Sequence, residues 1–367
     1  MTREGLKSLI SSLFVCAVVI ISITPAFTYV VVQPLIIESR LVTFGRYAFA
    51  SEAIDSIAED ESPSVVGIGS SMMYKAFDGK CMEELSGVEN SKFYNLAIPA
   101  SRPYTDMMQI PRLSSSGTDV VLVEVGSNLL FQMSEGPNEY LEFRFTVQTM
   151  IQENADLGAW TEIVLPYHQK WLYLNEYERT VARQEWFVES NEIILERLFD
   201  LEDEQDIDFR FLPEPGSNEW LDYLQRPGWP ASVIDNEWKR KMSMDEYNET
   251  VLMKRSNFEP LEHGTRNHAA LEYIISELIE ADIEVVLVGM PHHPHKYPYL
   301  DPGQWDGYNH TLENLAETYD VAVVDFTWQE KEGWVNEHFS DGNHLDDEGR
   351  DEFCERMTPL LDSLLES

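Results

Sequence analysis

Four runs of this chain are continuously apolar and rich in β-branched residues: SVVGIG (64–69), DVVLVEVG (119–126), IEVVLVGM (283–290) and VAVVDF (321–326). A strand with one wet face alternates apolar and polar side chains; runs without that alternation suit strands covered on both faces, as in a parallel sheet. A shorter run, KFYNLAI (92–98), has the same character. Helical periodicity separates the later strands, in NHAALEYIISELIEA (267–281) and TLENLAETY (311–319). Strands alternating with helices predict an open α/β sheet with helices on both faces.

The interval from 131 to 265 interrupts this rhythm. It holds six of the nine tryptophans, reads mostly helical (NEYERTVARQEWFVESNEIILERLF) and carries Pro/Gly turns (LPEPGSNEW, QRPGWPAS). Such a length between adjacent strands predicts an insertion or cap, its aromatics forming a small core rather than a carbohydrate platform. The expected organisation is therefore 1–40 as a cytoplasmic start and transmembrane anchor, 41–130 as the first part of the α/β domain, 131–265 as the insertion and 266–367 as the second part. A chain of 367 residues can bury the core this requires.

The anchor rests on SLISSLFVCAVVIISITPAFTYVVVQPLII, Ser8 to Ile37, which contains no charged residue. About twenty apolar residues span a bilayer. A cleaved signal peptide would have a shorter apolar core, and this run continues well past the TPA that could serve as a cleavage site. Arg3 and Lys7 precede it and Glu38 follows. The positive-inside tendency then puts the N-terminus in the cytoplasm and the rest of the chain outside the cell. The sequons at Asn248 and Asn309 would be usable there.

Acidic residues number 65 against 26 basic, a net charge of −39, and they are spread along the chain rather than gathered into a tail. A diffuse excess of this kind suits a hydrated surface in high salt, where screening reduces self-repulsion. The expectation is a halophile's protein, with nucleic acid excluded as a partner. Of three cysteines, Cys16 lies in the apolar segment and Cys81 and Cys354 remain as one pair that could form or stay open. No Cys/His spacing suggests structural zinc.

Residues able to do chemistry follow the strands, where open α/β sheets gather ligands. Gly69-Ser70-Ser71 follows the first, NLAIPAS the second and VGSN, with Asn128, the third. Near the C-terminus stands FSDGNHLDDEGRDEF, with Asp341 and His344 three residues apart at the start of a last helix. Serine needs a base to take its proton, and the imidazole needs its other nitrogen held by a carboxylate. A tetrahedral oxyanion needs donors aimed at it. Each residue also has a plain structural use. The serines suit a helix cap, Asp341 another cap, His344 a surface position and Asn128 a turn.

Taken together and in this order, GIGSS, NLAIPAS, VGSN and DGNH resemble the four blocks of the SGNH (GDSL-type) hydrolase superfamily. The resemblance covers roughly residues 64–130 and 267–365. It implies a flavodoxin-like three-layer α/β/α fold with a mostly parallel sheet. It implies Ser71 as nucleophile, His344 as base and Asp341 as its partner, with Asn128 and the backbone N–H groups of Ser71 and Ala100 as the oxyanion hole. No cofactor or metal is implied. Ser70 stands where many members have Asp, and Ala100 where the family usually has glycine.

The implied function is a membrane-anchored, externally facing serine esterase or O-acyltransferase. It would act on acyl, above all acetyl, esters of surface glycans or on small esters. Transfer would call for a membrane-bound acyl-transfer partner. A different class of reading is a catalytically idle SGNH-like domain that binds glycans or assembles the envelope. A third rests on GMPHHPHKYPY, where His292, His293 and His295 could bind a divalent metal; a loop lining the substrate pocket is the reading preferred here, since Pro294 splits the cluster.

Overall fold

The computed structural model describes residues 50, 52–99, 101–126, 213–214, 217–226, 266–294, 302–327, 333–340 and 343–366, with 12, 14–16 and 19 near the N-terminus. The chain divides into two units, Met1–Phe49 with Trp171–Leu212, and Ala50–Lys170 with Pro213–Ser367. In the first unit the described residues Ser12, Phe14, Val15, Cys16 and Val19 are helical and exposed. Most of the expected anchor lies outside the described residues. Among those described, no helix is long and apolar enough to cross a membrane.

The second unit contains a five-stranded sheet in the order β2-β1-β3-β4-β5. Its strands are β1 (Ser64–Ile68), β2 (Lys92–Asn95), β3 (Val120–Val125), β4 (Glu284–Gly289) and β5 (Ala322–Asp325). Every neighbouring pair is parallel. This is the flavodoxin-like strand order, with its topological switch at β1 and β3. β1, β2 and β3 are buried nearly end to end, which is why they lack a polar alternation.

The helices are α1 (Ser71–Ala76), α2 (Gly79–Leu85), α3 (Pro103–Asp106), α4 (Ile110–Leu113), α5 (Asn218–Gln225), α6 (Arg266–Glu280), α7 (Pro302–Tyr319) and α8 (Asp347–Leu365). Side chains alternate across each strand, so Val65, Val120, Leu122, Val286 and Val288 share one face. They form a single core with Met73 and Phe77 around α1, Met82 of α2, and Phe353, Met357 and Leu361 of α8. Helices α3, α4 and α6 pack together on their own side. There α6 buries Leu271, Ile274, Ile275 and Leu278, the i, i+3, i+4, i+7 spacing of one helix face.

One described piece of the insertion belongs to this unit. Ser217 caps α5 by accepting from the Trp220 N–H at 3.1 Å. Trp220 and Leu224 are buried, and α5 packs against β2 and α2. Trp220 therefore serves a core, as the sequence suggests, but the core is shared with the sheet domain. Asn309 lies within α7, where the Thr311 hydroxyl donates to the Gly307 carbonyl at 2.9 Å. The sequon at Asn309 thus sits on helical backbone, and Asn248 lies outside the described residues.

Candidate active site

β1 ends at the switch point, and Gly69 turns the chain there with φ +148°. A Cβ at this residue would run into the Glu124 side chain, so the turn requires glycine for both its backbone angle and its space. The two serines then divide the work. Ser70 is the N-cap of α1 and its hydroxyl accepts from the Met72 N–H at 3.2 Å. Ser71, the first helical residue, is free of that duty. Its Oγ lies 2.8 Å from His344 Nε2, across 273 residues of sequence.

His344 is delivered by a tight loop. The His344 carbonyl accepts from the Ser340 N–H at 2.9 Å and the Ser340 hydroxyl at 3.1 Å. Phe339 and Leu345 form an antiparallel bridge around it, and the Asp346 N–H donates to the His338 carbonyl at 3.0 Å. Asp346, rather than Asp341, is the cap of the last helix; it accepts from the Gly349 N–H at 3.1 Å. Gly349 itself admits the His338 carbonyl where any side chain would collide.

α8, which starts just after His344, is fastened to the helices that start at Ser71. Cys81 of α2 and Cys354 of α8 form a disulfide with Cα atoms 6.3 Å apart, which settles the pairing that the sequence leaves open. Arg350 donates to the Lys75 carbonyl of α1 at 3.1 Å. Farther along, Asp362 accepts from the Ser86 hydroxyl at 2.6 Å and the Gly87 N–H at 2.8 Å. The separation of Ser71 and His344 is thus set by bonds on both helices.

Two residues that the sequence reading passes over help to build the turn. Asn95, the polar end of β2, donates to the Tyr74 carbonyl at 3.1 Å and the Phe77 carbonyl at 2.8 Å, closing the C-terminal end of α1. Glu124, the one charged residue inside VVLVEV, points to the same face as Leu122 and is fully buried under the turn. Burial pushes its carboxyl up, against the hydrogen bonds from Ser70 and Met73 and the attraction of His344. Their sequence signal is a single polar residue in an apolar strand.

Ala100, Asn128, Asp341 and His295 lie outside the described residues. The neighbours of Ala100 do reach the turn: the Ile98 N–H and the Ser101 hydroxyl both donate to the Gly69 carbonyl, each at 2.7 Å. His292 and His293 are buried, and the His293 ring packs on Phe339 with centroids 5.3 Å apart. Among the described residues, no group of three His, Cys, Asp or Glu side chains is placed to hold a metal ion.

No family model matches the chain, and no curated protein matches it. Several solved structures are similar to it, among them the following two. One is TesA, at 11% identity and TM-score 0.38, covering 82% of this chain and 99% of that one. The other is the lipase/acylhydrolase from Enterococcus faecalis, at 10% identity and TM-score 0.35, covering 82% of this chain and 96% of that one. Scores this low carry neither activity nor mechanism from one chain to another.

Proposed function

We propose that this chain is an SGNH-like serine esterase or O-acyltransferase that works through an acyl-enzyme. The observation that carries the reading is the 2.8 Å approach of His344 Nε2 to Ser71 Oγ. A hydroxyl and an imidazole so far apart in sequence, meeting just past the carboxyl end of a central parallel strand, have the arrangement of a nucleophile and its base. His344 would take the Ser71 proton as Oγ attacks an ester carbonyl, and return it to the departing alcohol. Water or an acceptor hydroxyl would resolve the acyl-enzyme with the same base. Asp341 is proposed as the partner of His344. The N–H groups of Ser71 and Ala100 and the Asn128 amide are proposed as donors to the oxyanion.

The substrate class we propose is an acyl, foremost acetyl, ester of a surface glycan, handled outside the cell by a domain tethered through residues 8–37. The disulfide supports an oxidising compartment, since cytosolic thiols are mostly kept reduced. The dispersed acidic residues support a salty one.

The test uses the full chain in molar salt. Wild type, Ser71→Ala and His344→Ala are compared for fluorophosphonate labelling and for p-nitrophenyl acetate turnover. The expected result is labelling at Ser71 and a loss of turnover of about a thousandfold or more in both variants. A folded wild type that is not labelled, or labelling that survives Ser71→Ala, overturns the acyl-enzyme reading and favours the glycan-binding module.

A further inference from the structure

A carboxylate buried in the core of a parallel sheet is costly unless it is fully hydrogen-bonded. Among the described residues, the Glu124 carboxylate collects its hydrogen bonds from the turn that carries Ser71. Oε2 accepts from the Ser70 N–H at 2.6 Å and from the Met73 N–H at 3.3 Å. Oε1 accepts from the Ser70 hydroxyl at 2.8 Å. The Ser70 hydroxyl has one proton to give, and because it also accepts from Met72, its direction is set toward Glu124. The residues bonded in this way, Ser70, Met72 and Met73, bracket Ser71. On the other side of the turn, Ile98 and Ser101 hold the Gly69 carbonyl.

From this geometry we infer that Glu124 is a positioning residue for the nucleophile. It touches neither Ser71 Oγ nor His344 through any hydrogen bond; it fixes the backbone on both sides of Ser71 so that Oγ meets Nε2. The inference rests on the serine reading above and adds a residue to it. It also accounts for Ser70 where many SGNH members carry Asp: a second carboxylate here would face Glu124 at hydrogen-bond distance, whereas a hydroxyl donates to it. Gly69 belongs to the same device, because the Glu124 side chain fills the space that its Cβ would need.

The full chain is compared as wild type, Glu124→Gln, Ser70→Ala, Ser70→Thr and the Glu124→Gln/Ser70→Ala double variant. The readouts are the fluorophosphonate labelling rate, kcat and KM for p-nitrophenyl acetate, and the melting temperature. Glu124→Gln keeps the shape but gives Ser70 a donor where it needs an acceptor. It is expected to lower kcat and labelling by about tenfold to a hundredfold with KM within about twofold, the signature of a misplaced reacting group. Ser70→Ala is expected to lose less, and Ser70→Thr, which keeps the hydroxyl, to regain it. The double variant is expected to fall short of the product of the two single losses, since the bond from the Ser70 hydroxyl to Oε1 is common to both.

Wild-type kcat in Glu124→Gln overturns the inference, as does a fall in melting temperature with kcat unchanged. Full additivity in the double variant also overturns it, because the two residues would then act separately. If Glu124→Gln does not fold, the Ser70→Ala and Ser70→Thr pair decides alone. A wild type that is never labelled at Ser71 fails the serine reading first, a result distinct from all of these.

Discussion

On one side of the sheet α6 is held by a row of aliphatic side chains, Leu271, Ile274, Ile275 and Leu278, all fully buried. On the other side α8 is held by a disulfide to α2, by Arg350 on the Lys75 carbonyl and by Asp362 on the segment after α2. Hydrophobic burial is strong but non-directional; it sets how much surface is covered more than which atoms meet. A covalent bond and charged hydrogen bonds fix position. The fastened side is the one that carries Ser71 and His344, whose Oγ and Nε2 must lie within about 3 Å for the proton transfer proposed above.

The comparison can be broken first where the effect is largest. Leu278→Ala removes a fully buried side chain from the aliphatic side and is expected to cost about 3–4 kcal/mol of stability. Turnover per folded molecule should stay at the wild-type value, because nothing near Ser71 moves. Denaturant melts paired with active-site titration would check both. A loss of turnover in proportion to stability would mean that the two sides are not separable.

Replacing Cys81 and Cys354 together by Ser is the counterpart on the fastened side. The bond closes a loop of 273 residues. Its loss is expected to cost about 2–4 kcal/mol, less than the entropy model alone gives for so long a loop. Here turnover should also suffer, falling more steeply than wild type on warming as α8 slides relative to α2. Activity measured against temperature, below the melting transition, separates this from unfolding. Identical temperature profiles would show that the disulfide serves stability alone.

How much of this was legible in the sequence follows the same division. The strands and α6 announce themselves because periodicity records burial, and the alternation of strands and helices points to an open α/β sheet; the flavodoxin-like order is implied only by the resemblance to the SGNH superfamily. Ser71 and His344 were legible as motif residues, yet nothing local says that they meet, since they stand 273 positions apart. Which serine caps and which faces the base depends on one helical turn, and GSS looks the same either way. Glu124 and Asn95 were missed because a lone polar residue in an apolar run reads as an imperfection until its partners are seen. The cap of the last helix is Asp346, one of several acids in SDGNHLDDEG, and no local signal singles it out before the helix start is seen.

A smaller effect sharpens the comparison at the edge where the insertion docks. Asp78 is fully buried; its Oδ1 accepts from the Lys80 and Cys81 N–H groups, while Oδ2 accepts from Arg226 Nε at 2.6 Å. Arg226 is the residue that ends α5, so this ion pair, together with Lys80–Asp222 at 2.6 Å and the Gln225–Glu83 hydrogen bond, ties the described part of the insertion to α2. Its guanidinium is half exposed, which weakens the pair well below a fully buried one. Arg226→Ala is therefore expected to cost about 1–2 kcal/mol. Limited proteolysis should then cut the insertion sooner while turnover changes little. Unchanged proteolysis would mean that Trp220 and Leu224, with the Lys80–Asp222 pair, hold α5 without Arg226.

The smallest effect lies where the two sides meet. Asp106, at the end of α3, is buried, and that burial raises its carboxyl well above the ordinary range, with the Glu124 charge adding to the rise. Its hydrogen-bond partner is Ser101, whose single proton goes to the Gly69 carbonyl 2.7 Å away. A neutral Asp106 can donate to Ser101; a charged one has no proton left to meet. The folded value being the higher one, its stabilising contribution is fully present below the unfolded value of about 4. It is lost progressively as pH rises toward the raised folded value, while the unfolded chain ionises freely. Asp106→Asn keeps a donor toward Ser101 and removes the titration. Its melting temperature should match wild type near pH 4 and exceed it by a few degrees at pH 7 to 8, the gap widening with pH. Parallel melting curves across that range would mean that Asp106 is charged in the folded chain, and the hydrogen-bond chain through Ser101 to the Gly69 turn would have to be drawn the other way.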